Sequence, residues 1–321
     1  MLLGYAADRL LADPRRGHPV AGFGRIAGRL ERTLYADSRS RGAAHSVVLV
    51  GSTVAAGLVV ERIARQQTGA QTLVTAVAAW AVLGGTSLGR EARAVQRFLD
   101  ADDLPGARQR LTHLVGRDTS RLDESGVARA TIESMAENTS DAVVAPLVWG
   151  ALCGVPGLVG YRAANTLDAM VGHRSPRYER FGWASARLDD LANLPGSRLS
   201  ALLAVGLSPT IEGRPSAALR AWRRDARHHP SPNAGPVEAA FAGALDITLG
   251  GVNAYAGRVE DRHTLGDGAA PGRADIDRAA VLARRVGAAA VVSAAVLSLA
   301  PSALVRCCCR KPPLQRWVGG A

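Results

Sequence analysis

The sequence predicts an all-α fold: a polytopic integral membrane protein of helices joined by long polar helical loops, forming a single domain over residues 1–321. Three observations lead there. Residues 42–60, 66–89, 142–161 and 286–305 contain no Asp, Glu, Lys or Arg. As helices, such runs of about 20 residues reach the roughly 30 Å thickness of bilayer hydrocarbon. They are rich in Ala, Val, Leu and Gly and flanked by arginines, and small residues let packed membrane helices approach closely. The polar segments between them, such as REARAVQRFL and PVEAAFAGAL, show helical periodicity and no alternating hairpin strands. Buried helices of a soluble protein would also suit a mean hydropathy of only +0.04. Long polar segments explain that average, and four separate charge-free runs favour the membrane.

Taken in order, MLLGYAADRLLAD meets charge too soon for a cleavable signal peptide and reads as the tail of an apolar helix whose beginning is missing. The polar segment 12–41 follows, with LLADPRRGHPVAGFGR offering Asp13 and His18 as candidate ligands. Its GFGRIAG follows no strand and matches a dinucleotide fingerprint poorly. Arginines ahead of residue 42 place that segment in the cytoplasm, and two spans return segment 90–141 there. If 142–161 then crossed fully, the arginine-rich segment 162–198 would lie outside, against the same rule. Pro146, Gly154, Pro156, Gly157 and Gly160 equally allow a broken or re-entrant helix. Both readings stand at this point. The run 199–211 is too short to span, and HHPSPNAGP and GDGAAPG within 212–285 mark loops.

The net charge of +11 points to anionic partners. Lys311 is the single lysine, so a Walker A loop is excluded and phosphate must be held by arginine, backbone N–H groups or metal. Cys153 and the run Cys307, Cys308 and Cys309 make no disulfide framework or metal spacing. Aromatic residues at 4% are too few for base stacking, so nucleic acid is not an expected partner.

Three polar constellations stand out. In TIESMAENTSDAVVAP, Glu133, Glu137 and Asp141 recur at i, i+4 and i+8 with Asn138 beside them. One helical stripe of like charges repels by about 0.2–0.5 kcal/mol per pair, and a bound cation would offset this. A solvated helix face is the plainer alternative, weakened by the charge-free run that follows. The second constellation interleaves Arg162, Asn165 and Asp168 with Asp189, Asp190 and Asn193. That mixture suits a phosphate and its metal, or polar ties between helices. The third sets Arg220, Arg223, Arg224 and Arg227 before His229 and Asn233, where a loop feeds a helix N-terminus, a ready anion site; contact with acidic lipid would explain the arginines equally well.

ESMAENTSDAVVAPL, GYRAANTLDAMVG, RFGWASARLDDLAN and HPSPNAGPVEAAFAGAL, with DPRRGHPV near the start, resemble the CobD/CbiB family of cobalamin biosynthesis from about Asp13 to Gly268. The resemblance implies a multi-pass protein of the cell (inner or plasma) membrane that acts as an adenosylcobinamide-phosphate synthase. Such an acid–amine ligase uses ATP and magnesium (Mg2+). It joins adenosylcobyric acid to (R)-1-aminopropan-2-yl phosphate or free aminopropanol. Family members carry a longer apolar helix before a GDP motif, where this chain has Ala12, Asp13 and Pro14. On this reading Glu133, Glu137, Asp141 and Asp189 are expected to hold magnesium, and Glu133, Glu137, Asp168, Asp190 and His229 to serve catalysis. Arg162, Asn165, Asn138, Asn193, Asn233 and His18 are expected to bind substrate or phosphate. The alternative is a non-catalytic AmpE-like transporter or scaffold whose acids line an ion path.

Overall fold

The computed structural model describes residues 1–12, 17–173, 175–255 and 258–299. Asp13, Pro14, Lys311 and Cys307, Cys308 and Cys309 lie outside the described residues. The helices run in chain order as α1 (Leu2–Leu11), α2 (Pro19–Leu34), α3 (Arg39–Ala64), α4 (Thr68–Val82), α5 (Gly85–Asp100), α6 (Leu104–Leu111) and α7 (Glu124–Thr139). A π-helical turn, Ser140–Val144, joins α7 to α8 (Ala145–Leu167), and a second, Asp168–Gly172, ends α8. Then come α9 (Trp183–Leu207), α10 (Pro215–Asp225), α11 (Ala234–Leu245), strands β1 (Leu249–Tyr255) and β2 (Arg258–Leu265), and α12 (Arg273–Leu299).

The fold turns on α8. At Gly154 the backbone takes φ 67 and ψ −147, a region essentially reserved for glycine. Pro156 follows in the first turn of the new helical half, where its missing N–H costs nothing. The Val155 N–H opening that half donates to Glu61 Oε2 of α3 at 3.0 Å, and Glu61 is in turn paired with Arg65 at 2.7 Å. The halves fold against each other, so that Leu158 packs on Gly150 and Gly157 lies against the Trp149 carbonyl. As a result Asn165 Nδ2 stands 3.5 Å from Asp141 Oδ2. Twenty-four residues of straight helix would separate them by about 36 Å. Segment 142–161 therefore turns back, which returns the arginine-rich segment after it to the side of 90–141 and removes the conflict with the positive-inside pattern.

Among the described residues, four helical stretches are long and apolar enough by length and composition to cross a membrane, Arg39–Ala64, Thr68–Asp100, Glu124–Gly172 and Arg273–Ser298, the third being the one that doubles back. Val47, Val59 and Ile63 of α3, Leu73 of α4 and Val296 of α12 are exposed, as lipid-facing positions would be. The run 66–89 is divided, because α4 ends at Val82 and the Gly84 N–H donates to Ala142 O at 3.2 Å. The main core is built from α5, α7, α9, α11 and α12 through Val95, Ile132, Ala201, Phe241 and Leu282. Small residues fill α11, every one of which is buried.

The expectation of no hairpin strands is corrected by β1 and β2, which pair antiparallel with a register shift between Gly250 and Val252. Gly250 and Gly251 both have φ 78. These glycines interrupt the apolar alternation by which a strand is recognised. The glycines of GFGRIAG have a packing role, since Gly24 and Gly28 face Met170 in the second π turn.

Gly154→Ala places a Cβ 2.6 Å from Glu61 Oε2 and forces a positive φ on alanine. It is expected to destabilise the fold by about 1–3 kcal/mol, read as a lowered thermal midpoint in detergent. An unchanged midpoint would contradict a glycine-dependent reversal.

Candidate functional site

Because α8 reverses, four blocks distant in sequence meet at its open end. The π turn carries Asp141 at the end of α7, interrupting the regular i, i+4, i+8 stripe, and the second π turn begins at Asp168. Such turns inside helices often mark functional positions, since they re-aim side chains. Asn165 Nδ2 bridges Asp141 and Asp189, lying 3.2 Å from Asp189 Oδ1. Asn193 donates to Asp141 Oδ1 and accepts from Ser140 Oγ at 3.2 Å. Arg162 donates to Asn165 Oδ1 at 3.4 Å. Asp141, Asn165, Asp189 and Asn193 thus form one hydrogen-bonded group, with Asp168 electrostatically coupled to Asp189.

Burial, the nearby Asp168, Asp190 and Glu137 charges and only partial relief from Asn165 raise Asp189 to about 7. Asp190 is tied outward to Arg187 at 3.0 Å, while its carbonyl accepts from Asn233 Nδ2 at 2.8 Å. Asn233 in turn accepts from Ser197 Oγ at 3.1 Å and Arg198 at 2.9 Å. Ser231 Oγ caps the start of α11 by accepting from Ala234 N at 3.1 Å. The SPNAG loop is thereby fastened to α9.

A second charged group lies beside the first. Glu133 pairs with Arg117 at 2.6 Å, with 1% and 5% of their side chains exposed, and accepts from Gly250 N at 2.8 Å. Arg129 donates to Gly250 O, so α7 grips the hairpin through both backbone groups of one glycine. Glu238 of α11 is wholly buried, and neither carboxylate oxygen has a hydrogen bond. Its nearest charged or ionisable partners are His229 Nε2 at 3.6 Å and Arg262 at 3.9 Å. Burial and the Glu133 and Glu137 charges push Glu238 well above the usual carboxylate range. His229 is lowered to about 4 by burial and Arg262, which leaves it neutral near pH 7; its Nδ1 accepts from Ser231 N at 3.1 Å. Glu137 joins the groups, interacting electrostatically with Arg117 and Glu133 as well as with Asp141 and Asp189.

The four residues expected to share magnesium are divided between the groups. Glu133 is engaged by Arg117 and the hairpin, whereas Asp141 and Asp189 meet through Asn165. Among the described residues no three His, Cys, Asp or Glu side chains form a ready-made metal cage. Asn138 turns back onto its own helix, donating to Ser134 O at 2.8 Å. His18 caps α2 by accepting from Val20 N at 3.1 Å. Sequence reading singled out neither Glu61, Arg117, Arg198 nor Arg262 for the site. Glu61 stands 94 residues from its partner Val155, and no local pattern links such positions.

The architecture defines an all-α polytopic membrane protein with a buried carboxylate–amide site at the mouth of a doubled-back helix. The chain belongs to the CobD/Cbib protein family, whose model matches residues 1–283. Proteins named "Cobalamin biosynthesis protein CobD" are similar over nearly the whole length. That of Mycobacterium tuberculosis is 52% identical over 92% of this chain and 94% of its own. That of Rhodobacter capsulatus is 44% identical over 89% and 92%, and that of Chromobacterium violaceum 43% over 90% and 94%. No solved structure matches the chain.

Glu133→Gln strips one partner from a buried ion pair and is expected to destabilise by about 3–5 kcal/mol in chemical unfolding; a loss below about 1 kcal/mol would contradict the pairing. Asp189 behaves oppositely. Its folded pKa of about 7 lies above the ordinary aspartate value of about 3.9, so ionisation opposes folding as pH rises through that window. Asp189→Asn is expected to flatten the fall in thermal midpoint between pH 5 and pH 8, and parallel pH profiles would contradict the assignment.

Proposed function

We propose that this chain is an ATP-dependent amide ligase of cobalamin biosynthesis. It would attach (R)-1-aminopropan-2-yl phosphate or aminopropanol to the remaining propionate carboxylate of adenosylcobyric acid, giving adenosylcobinamide phosphate or cobinamide. The observation that carries this reading is the convergence of Asp141, Asp189, Asn165 and Asn193 at the mouth of α8. Family membership and the relatives' names support the pathway. The site would lie on the cytoplasmic side of the cell membrane, where ATP is available.

The donor set fits magnesium. This ion is usually held by one or two carboxylates together with substrate phosphate oxygens, so a complete protein cage is not required. Asp141 and Asp189 would hold it, with Asp168 and Glu137 nearby; when bound it neutralises charge on the ATP phosphates. Arg162, fixed by Asn165, would hold a phosphate, and Arg198 would hold another beside Asn233. In the reaction, a propionate oxygen attacks the γ-phosphorus and ADP leaves, and the amine then attacks the acyl carbon, releasing phosphate. The protein's part is positional and electrostatic: it aligns the carboxylate and excludes water from the mixed anhydride.

Purified protein in detergent is expected to consume ATP only when magnesium, cobyric acid and the amine are all present, with the new amide detected by mass spectrometry. Glu137→Gln and Asp141→Asn are each expected to lower turnover by about 100-fold, in the range for lost electrostatic stabilisation. Undiminished amide synthesis in both variants would remove the acids from the reaction. An absence of corrin-dependent ATP use in the wild type would favour a transporter or scaffold.

A further inference from the structure

On the far face of α7 from the carboxylates, three helices bring arginines together where the apolar helices end. The contacts fixing this arrangement are specific. Asp8 of α1 accepts from Thr86 N at 3.2 Å and Thr86 Oγ1 at 3.1 Å, which ties α1 to the start of α5. Tyr5 donates to Arg284 O at 3.4 Å, which ties α1 to α12. Tyr5, Arg9, Thr86, Arg93 and Arg284 line the cleft left between them. It adjoins a groove of about 550 Å³ walled by Arg90, Arg93 and Arg97, so Arg93 belongs to both.

These cations are available to a ligand. Arg110 is committed to Glu91 at 2.6 Å, but Arg9, Arg90, Arg93, Arg97 and Arg284 form no ion pair among the described residues. Of the acids on the same walls, Asp8 is turned to Thr86, Asp277 to Gln96 at 2.9 Å and Glu91 to Arg110, while Asp100 stands exposed at the end of α5 beyond Arg97. The apolar surroundings indicate depth. Leu2 and Leu3 of α1 are exposed, as are Val292, Val296 and Leu297 of α12. Residues 286–299 of α12 carry no charge after Arg284 and Arg285. Arginines at the end of apolar helices, beside a tyrosine, occupy the level of lipid headgroups.

We propose that this cleft binds the headgroup phosphate of an acidic phospholipid, whose acyl chains lie along the exposed leucines of α1 and valines of α12. The phosphate group supplies the acceptors that the guanidinium forks require, and the apolar flanks distinguish a lipid from a soluble anion. Arg9, Arg93 and Arg284 are the primary contacts, each contributing on the order of fivefold in affinity.

The test uses the full chain in nanodiscs of phosphatidylcholine containing trace labelled phosphatidylglycerol, with bound lipid read by native mass spectrometry. Retained phosphatidylglycerol is expected to fall by tenfold or more in the triple variant Arg9→Gln, Arg93→Gln, Arg284→Gln. The control variant Arg25→Gln, Arg29→Gln, Arg32→Gln removes the same charge from α2 and is expected to retain the lipid. Thermal midpoints within a few degrees of wild type verify that both variants are folded. Equal retention in all three proteins, or equal loss in both variants, would overturn the proposal. Complete displacement by inorganic phosphate would identify a soluble-anion site instead and would equally overturn it.

Discussion

One reversal of backbone direction, at Gly154, determines how Asp141, Asn165 and Asp168 come together at the site. A continuous helix would carry Asn165 and Asp168 about 36 Å or more from Asp141. Folded back, it brings Asp141 within 3.5 Å of Asn165 and sets both against Asp189 and Asn193 of α9. The reversal is itself stabilised remotely. Glu61 satisfies the orphan N–H at the start of the second half, which an apolar environment would otherwise leave exposed at a cost of several kcal/mol.

The reversal creates an electrostatic difficulty that shapes its surroundings. Asp141, Asp168, Asp189 and Glu137 are mutually repulsive and poorly solvated. Amides and an arginine are placed among them, and amides orient carboxylates without neutralising them. The adjoining group around Glu133 is arranged otherwise: Arg117 and the Gly250 backbone compensate its charge. Glu133 is thus held in place, whereas Glu238 beside it has no hydrogen bond and the Asp141 group retains uncompensated charge of the kind a cation relieves. Glu137 lies between them, so occupation of the acidic group bears electrically on the hairpin as well.

Much of this was legible in the residues, and the failures have physical causes. Charge-free runs and helical periodicity report burial in lipid and secondary structure, and both are local properties. The acids and amides of the four blocks were likewise visible as types. Which acids share a site was not, because the π turn at Ser140–Val144 shifts Asp141 relative to Glu133 and the hairpin claims Glu133 for itself. Asn138 and His18 each engage a nearby backbone group, Ser134 O and Val20 N, contacts between sequence neighbours that carry no information about which distant residues share a site. The glycines of the 142–161 run allowed a reversal without requiring one. The decisive partner, Glu61, lies on another helix.

The account is tested most directly by the sidedness of the segments flanking α8. In a protein with its native cysteines replaced, single cysteines at Arg121 and at Arg180, both exposed, would be probed with a membrane-impermeant thiol reagent in sealed vesicles of known orientation. The reversal at Gly154 predicts that both positions react from the same side, the cytoplasmic one. Labelling of the two from opposite sides would mean that residues 142–161 cross the membrane, and the convergence on which the proposed chemistry rests would be lost.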